Sequence, residues 1–156
     1  MTIFRYSTTV AHEWIDYNGH MQDAYYGLIF SFAVDGVQDE IGLDAAYRKA
    51  TGCTVFVTED HKFFLKEVKE GAKVQVETRV LDCDDSRFHL HMTMISNDEV
   101  VSVCEALEVH VNTLPKPHVE AMPSPIRERL IQAKIAARKI EQLRHRSRTI
   151  WRNQRA

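Results

Sequence analysis

The residues best equipped for chemistry lie together in Glu13-Trp14-Ile15-Asp16-Tyr17-Asn18-Gly19-His20-Met21-Gln22-Asp23-Ala24-Tyr25-Tyr26. A carboxylate, an Asn-Gly turn and an imidazole sit here between a strand-like run and a helix-like one. Asn-Gly adopts positive φ readily, so the chain reverses at Asn18-Gly19. A helix start presents free backbone N–H groups and the positive end of its dipole. Asp16 is therefore close in sequence to a place suited to a developing oxyanion. Such a carboxylate is a base or nucleophile, or equally an Asx-turn or cap residue of structural use only. His20 divides the same way, between orienting a site and bonding within its own turn.

Two other sets of residues could carry chemistry. His89 and His91 stand two apart on a strand, and His61 and His110 can lie on neighbouring strands. No cysteine or carboxylate spacing completes a tetrahedral set, so no metal is expected. Aromatic residues crowd the first stretch: Trp14, Tyr17, Tyr25 and Tyr26, with Phe63-Phe64 able to face them across a sheet. Tyr25 and Phe64 read as core. The others could line a pocket for a cationic group through cation–π contacts.

The elements that must hold these residues follow from periodicity. Residues 3–12 alternate loosely, with β-branched and aromatic side chains, and form a first strand. From Met21 the apolar residues fall at three- and four-residue steps (Met21, Ala24, Tyr25, Leu28, Ile29, Phe32, Ala33, Val37), which predicts a helix ending near Gly42. Gly27 and Gly36 inside it suggest close approach of another backbone. Residues 43–51 predict a short second helix stopped by Gly52. Four strands follow: 54–65, then a run through Val74–Val80, then Phe88–Met94, then Val101–Val111. Their short turns imply antiparallel pairing. Ser124-Pro125 predicts a last helix, with Ser capping, Pro at the first position and an apolar stripe from Ile126 to Leu143. The tail from His145 shows no periodicity. The fold class is α+β: a long central helix wrapped by a five-stranded antiparallel sheet, with a basic C-terminal helix.

Length and composition are those of an ordinary globular chain of 156 residues. No run approaches a membrane span, and no secretory signal is visible at the N-terminus. Three cysteines without a C-x-x-C pair argue against a disulfide framework, so a reduced, cytoplasmic compartment is expected. The net charge of −2 hides an asymmetry. Residues 127–156 hold ten of the twenty Lys and Arg but two of the twenty-two Asp and Glu, a balance of +8 against −10 for the rest. That segment either binds a polyanion or docks on its own acidic body or a neighbouring subunit's.

Motif and element order together resemble the hotdog-fold acyl-CoA thioesterases, in the 4-hydroxybenzoyl-CoA thioesterase-like branch. That family shows Asp-x-x-Gly-His-Met/Val-Asn-Asn-x-x-Tyr before a long central helix, and residues 16–26 here read Asp-Tyr-Asn-Gly-His-Met-Gln-Asp-Ala-Tyr-Tyr. The resemblance covers about residues 3–112. It implies that Asp16 is the catalytic carboxylate, as nucleophile or as base for water. It implies a main-chain donor near Asp23 for the thioester carbonyl, Gly19 for the tight turn, and His20 as the usual histidine. Gln22-Asp23 replaces the common Asn-Asn pair, and the segment after Pro115 lies outside the motif.

The expected domains are residues 1–117 as the hotdog unit and 118–156 as a basic helix and tail. The expected activity is hydrolysis of an acyl-CoA to a carboxylic acid and free CoA, without metal or organic cofactor. A fainter likeness to betainyl-CoA thioesterases suggests a short cationic acyl group, with Trp14, Tyr17, Asn18, Tyr25, Tyr26 and Phe63 binding substrate. Lys62, Lys66, Arg87 or the tail would meet the phosphoryl groups of CoA. The resemblance implies a homodimer or homotetramer, with neither nucleic acid nor membrane as partner. Two rival readings remain: a hotdog dehydratase or hydratase using His20 with Asp16, and a non-enzymatic module gripping nucleic acid or membrane through its Arg-rich tail.

Overall fold

The computed structural model describes residues 2–147 and residue 150. Strand β1 (Phe4–Thr9) leads through a single 3-10 turn (His12–Trp14) to helix α1 (Asp23–Ile41). Helix α2 (Ala45–Thr51) follows, then strands β2 (Cys53–Phe64), β3 (Lys73–Cys83), β4 (Arg87–Ser96) and β5 (Glu99–Asn112). The chain continues with a two-residue strand β6 (His118–Val119) and helices α3 (Ser124–Ala133) and α4 (Ala137–Ile140).

All pairings between these strands are antiparallel, in the order β1-β3-β4-β5-β2, with β6 added beside the end of β5. Five long strands therefore curl around α1 as expected, and β6 is a sixth the sequence did not announce. Side chains alternate between faces along each strand. Phe88, Leu90, Met92 and Met94 of β4 and Cys104 and Ala106 of β5 meet Ile29, Phe30, Ala33 and Val37 of α1 in one core. Gly42 and Gly52, both left-handed, stop α1 and α2. The Asp44 side chain accepts from the Tyr47 N–H at 2.8 Å and caps α2.

The buried face of α1 is rotated from the expected stripe. Tyr26, Phe30 and Val34 are buried, whereas Leu28 and Phe32 are partly exposed. The helix is apolar almost all round, so periodicity alone could not fix its phase. The expected backbone approach at its glycines is also absent. A Cβ at Gly27 would meet the Lys62 side chain at 3.4 Å, and one at Gly36 would meet nothing within 4 Å.

The C-terminal segment departs most. Pro123, not Ser124, is the N-cap residue of α3, with no side-chain cap. The helix stops at Ala133 because Lys134 turns extended, and the Ile135 N–H donates to the Val80 carbonyl at 3.1 Å. Met122, Ile126, Leu130 and Ala133 belong to the same core as α1. Arg129 donates to the Ile41 carbonyl at 2.9 Å, at the negative end of α1. Beyond α4 the chain covers the outer face of the sheet. Arg146 clasps Glu105 with two bonds of 3.0 Å, the Ser147 N–H donates to the same carboxylate at 2.6 Å, and His91 donates to the Arg144 carbonyl at 3.1 Å. Of the two fates open to the basic segment, docking on its own acidic body is the one seen at Arg146. The tail's remaining residues, 148–149 and 151–156, lie outside the described residues.

Candidate active site

The opening stretch folds as a small hairpin. Ile15 and Met21 form an antiparallel bridge. The Asp16 N–H donates to the His20 carbonyl at 2.9 Å, and the Gly19 N–H returns a bond to the Asp16 carbonyl at 3.0 Å. Gly19 sits at φ 82° with open space around its α-carbon, so what excludes other residues is the backbone angle and not crowding. The Asp16 carboxylate accepts one bond, from the Asn18 N–H at 2.8 Å. This Asx-turn leaves its other oxygen for a ligand.

Helix α1 starts directly after the hairpin. Its N-cap, Gln22, makes no side-chain capping bond, and Asp23 is the first helical residue. The first N–H groups of a 19-residue helix are thus left without a side-chain cap beside Asp16. Asp16, His20, Met21, Asp23, Tyr26, Phe64, Leu65, Lys66 and Glu67 line one open cleft of about 480 Å³. Tyr26 donates to the Lys66 carbonyl at 3.0 Å, and its ring meets Phe64 edge-on at 5.3 Å. These two rings give the cleft an apolar wall opposite its carboxylates.

The structure thus joins Asp16, His20, Asp23 and Tyr26 in one cleft, with Gly19 in the turn that carries the first two, and separates the rest. Trp14 stacks on Tyr25 at 5.6 Å, where both pack against the core behind the hairpin. Tyr17 is 97% exposed at the turn, and Asn18 contributes its N–H to the Asx-turn. Phe63 points to the outer face of the sheet, between His61 and His145. Its neighbour Phe64 faces the cleft instead, since one residue along a strand changes the face. The four strand histidines form no metal site. His89 faces Glu105 at 2.8 Å, His91 bonds Arg144, and His110 lies between Tyr47 and the Glu120 carbonyl. Among the described residues no group of three or more His, Cys, Asp or Glu is arranged to hold a metal ion.

Two carboxylates that stand out in the structure, one at the cleft and one outside it, were missed from sequence. Glu67 meets His20 Nε2 at 2.7 Å and fixes the imidazole at the cleft rim. It lies in the loop after β2, and nothing local marks it. The second is Glu108 on β5, 4% exposed. Its carboxylate lines a cavity of about 250 Å³ between α1 and β2, together with Gly27, Ser31, Asp35, Asp60 and Lys62. Burial, and then the nearby Asp60 and Asp35 carboxylates, push its pKa up to about 7. Its place in the Val101–Val111 alternation was the available signal.

A carboxylate with one free oxygen, uncapped helix N–H groups and an apolar wall suit addition to an acyl carbonyl. The sequence profile of the thioesterase-like superfamily matches residues 10–130, which include the whole cleft. A betainyl-CoA thioesterase of Pseudomonas aeruginosa is 43% identical over 109 residues, covering 69% of each chain. An L-carnitine dehydrogenase/betainyl-CoA thioesterase of Agrobacterium fabrum is 41% identical over 115 residues, 73% of this chain but only 24% of that longer protein. A Staphylococcus aureus protein solved in complex with CoA superposes with a TM-score of 0.81 at 28% identity, over 95% of this chain and 96% of its own. No described helix is long and apolar enough to cross a membrane. The chain belongs to the thioesterase-like superfamily, the hotdog-fold hydrolases of acyl-CoA thioesters.

Proposed function

We propose that this thioesterase acts on a short, cationic acyl-CoA, betainyl-CoA being the type, with Asp16 as the reacting carboxylate. The observation that carries the role of Asp16 is its position in one cleft with the uncapped start of α1. The acyl group is suggested by the substrate named for the Pseudomonas relative.

The thioester carbonyl oxygen points at the first N–H groups of α1. Asp16 takes a proton from water as the water adds to the carbonyl carbon. The tetrahedral oxyanion is held by the helix start, and its collapse breaks the C–S bond. CoA thiolate leaves with the proton from Asp16, and the free carboxylate follows. In the alternative route Asp16 attacks directly, forming a mixed anhydride that water then opens. Single turnover in ¹⁸O-water reveals the second route when water opens the anhydride at the Asp16 carbonyl carbon, because the label then stays in Asp16, whereas the first route never labels Asp16 and puts ¹⁸O in the released acid. His20, fixed by Glu67, positions the cleft rim in either case.

The enzyme works as a homodimer or homotetramer in the cytoplasm, with substrate and further copies of itself as its partners. Strand β2 favours this: it is a sheet edge of twelve residues whose Phe56, Val57 and Phe64 are exposed. An edge of that length, with no strand beside it among the described residues, invites another strand. The test is kcat/KM on betainyl-, acetyl- and benzoyl-CoA. Betainyl-CoA is expected to be the best substrate, and equal or faster hydrolysis of the other two would overturn the assignment of the acyl group.

A further inference from the structure

The cavity holding Glu108 has no part in the mechanism above, yet it is built for a charge. Glu108 lies at its floor, 4% exposed, and no hydrogen bond or ion pair reaches its carboxylate from any described residue. A buried carboxylate without a partner is costly unless something else supplies the counter-charge. Asp60 at the rim pairs with Lys62. Asp35, exposed on α1, adds a further negative charge at the rim. The cavity is therefore net negative and about the size of a small organic cation.

Reach decides whose thioester it serves. From Asp23 at the start of α1 to Asp35 is twelve residues, about 18 Å of helix. The nitrogen of a betainyl group is two bonds from its carbonyl carbon, so it cannot reach Asp35 while its carbonyl sits at the same chain's Asp16, even though Gly27 brings the near end of the cavity within about one helical turn of Asp23. Antiparallel pairing of two β2 edges about a twofold axis removes the difficulty. It sets the Phe64 end of one strand beside the Cys53 end of the other. Phe64 walls the Asp16 cleft, and the Glu108 cavity runs along β2 from Val55 and Val57 to Asp60 and Lys62. The cleft of one chain is thereby brought against the cavity of the other.

We propose that Glu108 of one chain, with Asp35 at the rim, receives the quaternary ammonium of an acyl group whose thioester lies at the Asp16 cleft of a second chain. Glu108 is then a specificity-determining residue, acting in trans. The inference rests on the betainyl reading above.

A pH dependence follows. The titratable groups on this side of the sheet are Asp35 from α1, the Asp60–Lys62 pair from β2, His110 two residues along β5, held between Tyr47 and the Glu120 carbonyl, and the Cys104 thiol, which burial keeps neutral with a pKa of about 12. β4 presents Phe88, which carries no charge. Only ionised Glu108 attracts a cation, so KM for betainyl-CoA should fall as pH rises through about 7. KM for 3,3-dimethylbutyryl-CoA, its uncharged carbon isostere, should not follow.

The experiment compares these two substrates. Glu108→Gln should reduce the betainyl preference by on the order of tenfold or more and abolish the pH dependence, while the isostere is still hydrolysed. Asp35→Asn should move the same ratio the same way by less, and it serves where Glu108→Gln fails to fold. Refolding Asp16→Asn and Glu108→Gln chains together should restore betainyl hydrolysis to about a quarter of wild type, the statistical share of complete sites in a dimer. A wild-type enzyme indifferent between the two substrates would overturn the betainyl reading itself. A wild-type preference that survives in both Glu108→Gln and Asp35→Asn would overturn only this proposal. Lost preference without restoration in the mixed refold would overturn its trans arrangement.

Discussion

Glu105 and Glu108 are both deeply buried, three residues apart on β5, and on opposite faces of the sheet. On the outer face Glu105 accepts two bonds from Arg146 and one from the Ser147 N–H, and faces His89. These partners outweigh burial and hold its pKa down to about 2. On the inner face Glu108 has burial and two like charges but no partner among the described residues, and its pKa rises to about 7. The first carboxylate is spent on fastening the C-terminal segment. The second stays available, which is what a binding site requires and a structural ion pair does not.

The largest effect expected from breaking this contrast is on the paired side. Arg146→Ala leaves Glu105 buried with a reduced set of partners and should cost about 3 kcal/mol in urea denaturation. An unchanged midpoint would mean that the C-terminal segment does not fasten the outer face. On the unpaired side the sign reverses. Glu108 binds its proton more tightly folded than unfolded, so it lowers stability as pH rises from about 4.5 to about 7, and the loss is complete above that. Glu108→Gln removes that loss. It should stabilise the free enzyme by on the order of 2 kcal/mol at pH 8, with little change at pH 4. A destabilised variant at pH 8 would mean that Glu108 has a partner after all.

The acid limb belongs to the outer face. Glu105, depressed to about 2, contributes stability that is present above about 4.5 and lost as pH falls through 2. His91, depressed to about 4 by burial, contributes stability present above about 6.5 and lost as pH falls through 4. Both act in the same direction, so acid denaturation should begin on this face. Loss of hydrogen-exchange protection in β4 and β5 before β1 would show it. The smallest effect expected is at Gly36, in mid-helix with free space at its α-carbon. Gly36→Ala should add up to about 1 kcal/mol, against little at Gly27, where Lys62 already touches.

What the sequence disclosed divides along the same lines. Period and punctuation are local, and they placed α1 between Met21 and Gly42, α2 before Gly52, and the strands within a few residues. The Asp-x-x-Gly-His motif is local too, so Asp16, Gly19 and His20 were visible at once. Phase and long-range partners are not local. Leu28 and Phe32 looked as apolar as Phe30, and only the sheet decides which of them it covers. Phe63 and Phe64 differ by one position, and only strand register chooses between cleft and outer face. Ile126 to Leu143 kept a helical stripe through Lys134, where pairing with Val80 outweighed propensity. The partnerships of Glu67 with His20 and of Arg146 with Glu105 join residues more than forty positions apart. No spacing rule reports those.

The central claim, that the carboxylate beside the uncapped start of α1 performs the hydrolysis, is tested most directly by Asp16→Asn. The substitution keeps the shape of the side chain and an oxygen to accept the Asn18 N–H. Folding and oligomeric state should therefore be unchanged, checked by circular dichroism and light scattering. Hydrolysis of acyl-CoA by this variant should fall by on the order of a thousandfold. Turnover within a few fold of wild type, in a protein shown to be folded, would remove Asp16 from the chemistry.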